Sequence, residues 1–219
     1  MKIHKAKRPS RKDLIKNQIW GENFVWWDKV PKATYEEFLE LLNTATKEHE
    51  IQKYLEAHPE ILVQVVGGGH GRWVLPQKKL GAEYATDFIV GERHSFGYEW
   101  LLVELESPKA KMFNKNGDPS STLNHAIRQI QDWRVWLKDN YDYATRKKSQ
   151  NGLELPGIDQ NTPGLILMGR EEMQNPETNG RRRQMCSDLR IEIHSYDYLY
   201  KAGSGIDVLR LLGKLKYSH

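Results

Sequence analysis

The sequence predicts an α/β domain preceded by a basic N-terminal arm. Segments with helical periodicity come first along the chain. Short apolar runs of strand length fill its middle, and helical segments then alternate with two more such runs. No internal repeat and no linker of domain scale interrupts this order, and 219 residues suffice for one good-sized domain.

Composition narrows the class of protein. Only 38% of the residues are hydrophobic, but seven Trp, ten Tyr and five Phe supply core material, which argues against wholesale disorder. The excess of 33 Lys and Arg over 29 Asp and Glu is mild, so it permits a polyanionic partner without demanding one.

The compartment can also be predicted. Cys186 is the only cysteine, which excludes an intramolecular disulfide and a four-cysteine zinc site and favours a reducing compartment. No stretch approaches the roughly 20 apolar residues that cross a bilayer. The basic N-terminus also lacks the apolar segment of a secretory signal. We therefore expect a cytoplasmic protein without a membrane partner.

The first 45 residues are expected to form a basic arm and an N-terminal helical segment. The apolar positions from Tyr35 to Leu42 have helical spacing after Pro31. The basic residues before them indicate either a solvated tail or an arm that contacts phosphates. They are Lys2, Lys5, Lys7, Arg8, Arg11, Lys12 and Lys16.

A second helix is predicted over about residues 46–57, because Pro59 disfavours its continuation. Glu48, Ile51 and Leu55 are spaced as i, i+3 and i+7, so Glu48 shares the apolar face of this helix. A carboxylate on an inward face needs a partner. Glu48 therefore either forms a buried ion pair or contributes to a functional site.

The remaining elements alternate between strands and helices. The glycine-rich residues 67–71 lack the Lys-Ser/Thr of a phosphate-cradling loop, so we interpret them as a hairpin connection. Strands are predicted at Ile61–Val66, Trp73–Leu75, Thr86–Val90, Trp100–Glu106, Gly164–Met168 and Arg190–Ile193. Helices are predicted over about 122–140, Ser195–Ala202 and 206–215, and a loop is predicted to hold Arg181, Arg182 and Arg183.

The carboxylates of the central strands carry the chemistry. Asp87 opens one apolar run, and Glu104 and Glu106 end the next. Alternate residues of a strand share a face, so Glu104 and Glu106 project together, and a hairpin would bring Asp87 near the level of Glu104. Three carboxylates on one patch repel each other unless a cation lies between them. This pattern predicts a divalent-metal site of the kind that serves phosphate chemistry.

Six blocks in order resemble the catalytic domain of Shedu-type immune nucleases, which belong to the PD-(D/E)XK nuclease superfamily. The resemblance covers about residues 46–202 and is carried by KEHEIQKYLEAHPEIL, LGAEYATDFIVG, WLLVELESPK, HAIRQIQDWRVWL, GLILMGREEM and LRIEIHSYDYLYKA. It implies a restriction-endonuclease-like core with a mixed central sheet flanked by helices. It also implies a DNA substrate, Mg²⁺ or Mn²⁺ as cofactor, a role in bacterial defence against phages and plasmids, and a homo-oligomer.

The resemblance also assigns roles to residues. Asp87 and Glu104 match the two acidic positions of the superfamily motif and are implied as the primary metal ligands. Glu48 matches an acid that some members carry on the preceding helix, where it holds the metal or its water. Gln129 matches a glutamine of the family that orients water or the backbone of the site.

The chain departs from the superfamily at Glu106, where lysine is usual. Two interpretations stay open. Glu106 is a metal ligand or base of an active enzyme, or the site is degraded and the protein is a non-catalytic module for DNA binding or oligomerisation. A displaced cation is expected from Lys109, Lys79 or Lys78.

The other polar residues give weaker signals. Arg170 and Arg182 are expected either to contact DNA or to fill structural and solvated positions. His49, His70, His94 and His125 show no metal-binding spacing, so we interpret them as surface histidines. The helices at 33–45 and 206–215, outside the catalytic blocks, are candidate interfaces of an oligomer.

Overall fold

The computed structural model describes residues 10–203, apart from residues 17 and 68. Most of the basic arm and the predicted helix at 206–215 lie outside this range. The described helices are α1 (Arg11–Lys16), α2 (Lys32–Thr44), α3 (Glu48–Ala57), α4 (Pro59–Leu62), α5 (Ser121–Asp139), α6 (Tyr141–Thr145), α7 (Asn179–Leu189) and α8 (Asp197–Gly203).

A five-stranded sheet organises the described chain. Its strands are β1 (Gly71–Pro76), β4 (Phe88–His94), β5 (Gly97–Leu105), β6 (Gly164–Leu167) and β7 (Ile191–His194), in that spatial order. The short strands β2 (Lys79–Leu80) and β3 (Tyr84–Ala85) form a separate ribbon. The pairs β1–β4 and β4–β5 are antiparallel, whereas β5–β6 and β6–β7 are parallel. The predicted mixed sheet flanked by helices is therefore confirmed.

The two faces of the sheet bury two separate cores. Leu102 points towards α5, whose buried residues include Ile127 and Ile130. Its neighbour Val103 points the opposite way, into the core that contains Phe38 of α2 and Leu55 of α3. Because side chains alternate along β5, residues 102 and 104 share the face covered by α5.

The predicted strand at Ile61–Val66 is wrong. The chain instead forms α4 and then a 3-10 turn over Val63–Val65, with Pro59 in the first turn of α4, where its missing N–H costs nothing. Ile61, Leu62 and Val63 are all fully buried. A short run that is buried on every side has no periodicity to distinguish helix from strand. The glycine-rich segment consequently leads from this turn into β1 and does not connect two strands of a hairpin.

The predicted loop around Arg181–Arg183 is also wrong, because these residues lie in α7. No residue of α7 is fully buried, and only Met185, Cys186 and Leu189 in its second half pack against the core, so a periodicity argument has little apolar pattern to detect. The position of α7 in the chain explains why a helix forms there. Neighbouring parallel strands need a crossover connection, and α7 carries the chain from β6 to β7.

Candidate active site

The β4–β5 hairpin brings Asp87 and Glu104 together. Phe88 pairs with Val103 in the antiparallel register, and one further residue places Asp87 directly opposite Glu104. The backbone N–H of Leu105 donates to Oδ2 of Asp87 over 2.7 Å, which fixes this carboxylate beside the end of β5.

Helix α5 supplies the partner of Glu104. Ser120 caps the helix by accepting from the N–H of Leu123, and Gln129 follows on the side that faces the sheet. Nε2 of Gln129 donates to Oε1 of Glu104 over 3.0 Å. Glu104 is only 4% exposed, so water has little access to its carboxylate and the Gln129 amide orients it.

Glu48 and Glu106 complete an acidic site that we define as Glu48, Asp87, Glu104 and Glu106. Glu48 is the first residue of α3, where the helix dipole favours a negative charge. Glu106 follows β5, and its carbonyl oxygen accepts a 2.7 Å hydrogen bond from the hydroxyl of the fully buried Tyr196. Both glutamates are half-buried.

Every carboxylate of the acidic site has a pKa above its ordinary value. Burial, followed by the negative charge of Asp87, raises the pKa of Glu48 and that of Glu106 to about 7 each. Burial is also the main reason that the pKa values of Asp87 and Glu104 are raised, although the Leu105 N–H opposes this at Asp87. Four acids in one place therefore resist full ionisation at neutral pH.

Within the described residues, no Lys, Arg or His forms an ion pair with any of these four acids. Nζ of Lys109 donates to the carbonyl oxygen of Asn43, and Nζ of Lys78 lies 4.0 Å from the ring centroid of Trp20. Lys79 is exposed on β2. The structure thus places none of the three lysines in an ion pair with Glu106.

The donor set fits a hard divalent cation such as Mg²⁺ or Mn²⁺, which prefers oxygen ligands. Oε1 of Glu106 is buried without a hydrogen-bond partner, as expected of an atom that coordinates a metal ion when one is bound. The acids are not drawn tightly together, however. In the part of the chain that the structure describes, the one group of three His, Cys, Asp or Glu ligand atoms within 4.8 Å of one another is Glu92, His94 and Glu99.

Sequence reasoning missed this second group. Glu92 and His94 are two apart on β4 and so share a face, a local signal that the sequence does contain. Glu99 joins them only through the pairing of β4 with β5, which places it opposite Glu92.

The predicted DNA-contacting arginines occupy different environments. The Arg170 guanidinium is largely buried, with Nε and Nη2 bound to Asp197 and Nη1 bound to Oδ1 of Asn43. This is the structural ion pair that the sequence left open as an alternative. Arg182 lies on α7, half-exposed, with Nη1 3.8 Å from Sδ of Met112.

The sheet order and the acidic site define an α/β protein with a carboxylate cluster at one end of its central hairpin. Residues 45–200, well over half of the chain, match the family model described as Shedu protein SduA, C-terminal. The chain belongs to this family, which confirms the resemblance found in the sequence.

A comparison with solved structures gives a more distant match. A structure of the restriction endonuclease FokI bound to DNA has 13% sequence identity to this chain and a TM-score of 0.42. The match covers 93% of this chain but 31% of that protein, so the chain spans about a third of its length. No curated protein matches the sequence. None of the helices in the described ranges has the length and apolar character that a membrane span requires.

Proposed function

We propose that this chain is a divalent-metal-dependent DNA endonuclease or nickase that acts in bacterial defence against phages and plasmids. The observation that carries the proposal is the acidic site. It gathers Glu48, Asp87, Glu104 and Glu106 around the end of one hairpin, with no cation from the described residues among them. Membership of the Shedu family supports the same class of activity.

The roles of the residues follow from their positions. Asp87 and Glu104 would hold Mg²⁺ or Mn²⁺, with Glu48 as a further ligand to the ion or its water. When bound, the ion would polarise the phosphodiester and lower the pKa of a water molecule. Gln129 holds the Glu104 carboxylate in one orientation through its amide. Glu106, with its unpartnered Oε1, would serve either as a ligand or as the base that accepts a proton from water.

A plasmid-cleavage assay tests the proposal. Supercoiled plasmid should be nicked or linearised with Mg²⁺ or Mn²⁺ and should stay intact with EDTA. Asp87→Asn and Glu104→Gln should abolish cleavage while the circular dichroism spectrum is unchanged. Glu172→Gln, at an exposed carboxylate outside the acidic site, is the matched control and should cleave like the wild type. Unchanged cleavage in both site variants would overturn the assignment of the site.

One observation favours a second function, a non-catalytic DNA-binding or oligomerisation module with a degraded site. Glu106 occupies the usual lysine position, and Lys109, Lys78 and Lys79 all point to other partners or to solvent. This function predicts salt-dependent retention of DNA without cleavage products at any metal. Cleavage gained in Glu106→Lys would support it, whereas loss of an existing activity in Glu106→Gln would argue against it.

We also propose that the protein is a cytoplasmic homo-oligomer. Helix α2 buries Phe38 and Leu42 in the chain's own core, and its exposed polar side, with Glu36 and Glu40, is the surface that it offers to a second copy. Light scattering coupled to size-exclusion chromatography measures the mass directly, and a monomer over the working concentration range would contradict the proposal.

A further inference from the structure

A second pair of acids lies across the same hairpin, near its turn. Glu92 of β4 is directly opposite Glu99 of β5. Like charges at directly opposed positions destabilise an antiparallel pair unless a third group compensates them. His94, two residues after Glu92, projects from the same face and lies between the two carboxylates.

The ligand atoms of this group have the spacing of a metal site. Nε2 of His94 is 3.1 Å from Oε2 of Glu92 and 4.0 Å from Oε2 of Glu99, and all three residues offer atoms within 4.8 Å of one another. In a tetrahedral zinc site with bonds of about 2.0–2.1 Å, neighbouring ligand atoms are roughly 3.4 Å apart. The observed distances bracket this value, so small side-chain rotations would close the three ligands on one ion.

The group is also accessible from outside. One surface cavity is lined by Glu92 and Glu99, and a second is lined by His94, Glu99 and His70. The backbone of His70 is tied to the same strand, because its N–H donates to the carbonyl oxygen of Arg93 over 3.0 Å. The fourth position would be filled by a water molecule or, after a movement of its side chain, by the His70 imidazole that lines the same cavity.

We propose that Glu92, His94 and Glu99 form a second metal site, which takes a borderline transition-metal ion of the Zn²⁺ class. An imidazole combined with carboxylates suits Zn²⁺, whereas the all-oxygen acidic site suits Mg²⁺ or Mn²⁺. The two sites lie on opposite faces of the sheet, because Asp87 and Glu92 are an odd number of residues apart. They are separated by about 17 Å along the strand. The ion links β4 to β5 through Glu92, His94 and Glu99, so its role is to stabilise this end of the sheet.

This inference does not rest on the proposed nuclease activity, and calorimetry on the full chain tests the two separately. Titration with ZnCl₂ alone should show a site that is lost, or weakened roughly tenfold or more, in His94→Ala and in Glu99→Gln. Asp87→Asn should keep this site. His125→Ala, which removes an exposed histidine of α5, is the matched control and should bind Zn²⁺ like the wild type.

Thermal unfolding gives an independent readout, because a ligand that binds only the folded state raises the melting temperature. Zn²⁺ should raise the melting temperature of the wild type and of Asp87→Asn, but not that of His94→Ala or Glu99→Gln. If the wild type binds no Zn²⁺, or if both site variants bind it as tightly as the wild type, the group is an ion pair only and the proposal fails. Glu99→Gln keeps the test decisive should His94→Ala fold poorly.

Discussion

The two ends of the β4–β5 hairpin carry the same feature in different surroundings. At one end Asp87 faces Glu104, and at the other Glu92 faces Glu99. In the first pair Glu104 is buried and Asp87 half-buried, and their carboxylates accept hydrogen bonds from the Gln129 amide and the Leu105 N–H. The second pair lies nearer to solvent and encloses an imidazole.

Burial explains the different consequences of the two pairs. Water and salt screen the charges of an exposed pair, and His94 neutralises part of the repulsion. At the Asp87–Glu104 pair, burial is the main reason that both pKa values are raised, and the charge of Asp87 adds to it at Glu104. Two acids at opposed positions are therefore tolerated near the surface, whereas in the buried surroundings of Asp87 and Glu104 they favour the binding of a cation.

The largest expected effect comes from removing one charge of the buried pair. Asp87→Asn should lower plasmid cleavage by more than about 100-fold, because a primary metal ligand is lost. In EDTA the same variant should unfold at the same or a higher temperature than the wild type, because the repulsion with Glu104 is gone. Marked destabilisation in EDTA would show that the negative charge of Asp87 stabilises the fold, contrary to the repulsion inferred here.

The next effect is the pH dependence of stability without metal. The pKa values of Glu48 and Glu106 rise from 4.5 to about 7 on folding, so the folded protein binds more protons than the unfolded chain between these values. Stability should therefore fall as the pH rises from about 4.5 to 7, the reverse of an ordinary salt-bridged acid. The loss should be on the order of 2 kcal/mol, reduced by the partial exposure of both groups.

Denaturant unfolding at pH 5 and pH 8, in EDTA, measures this dependence. The double variant Glu48→Gln/Glu106→Gln should reduce it to the part that Asp87 and Glu104 contribute, and an excess of Mg²⁺ should oppose it by favouring the ionised carboxylates. A wild type that gains stability over this pH range would show that burial does not raise the pKa values of these acids as inferred.

A smaller effect is expected at Gln129, which acts on the metal only through Glu104. Gln129→Ala should weaken Mn²⁺ binding about tenfold, because the Glu104 carboxylate loses the amide that orients it. Gln129→Asn, whose amide is shorter by one methylene, should give the same loss. Calorimetry with MnCl₂ measures both variants, and an affinity equal to that of the wild type would leave Gln129 with a packing role only.

The smallest effect on stability is expected from a change at Glu92, His94 and Glu99 in the absence of metal. His94→Ala removes the ion pair with Glu92, and partly exposed pairs contribute about 1 kcal/mol or less. The free energy of unfolding in EDTA should change by no more than this amount. A larger loss would mean that His94 holds the hairpin together even without Zn²⁺, and the contrast between the two ends would be weaker than we infer.

Local patterns predicted a large part of this structure. The long helix predicted over 122–140 is α5, and the helix predicted over 46–57 is α3, each displaced by two residues or fewer at either end. Both have an apolar stripe that the sequence displays. Where a clear stripe is absent, prediction failed: the apolar half of α4 is fully buried, and no residue of α7 is.

The sequence by itself determined which carboxylates are available and which of them share a strand face, because alternation along a strand is a local property. Only the tertiary structure decided that Asp87 lies opposite Glu104, that the predicted lysines lie elsewhere than against Glu106, and that Glu99 meets His94. The physical reason is that register and burial depend on residues far apart in the chain. The charge repulsion that favours a bound cation depends on this register and on this burial.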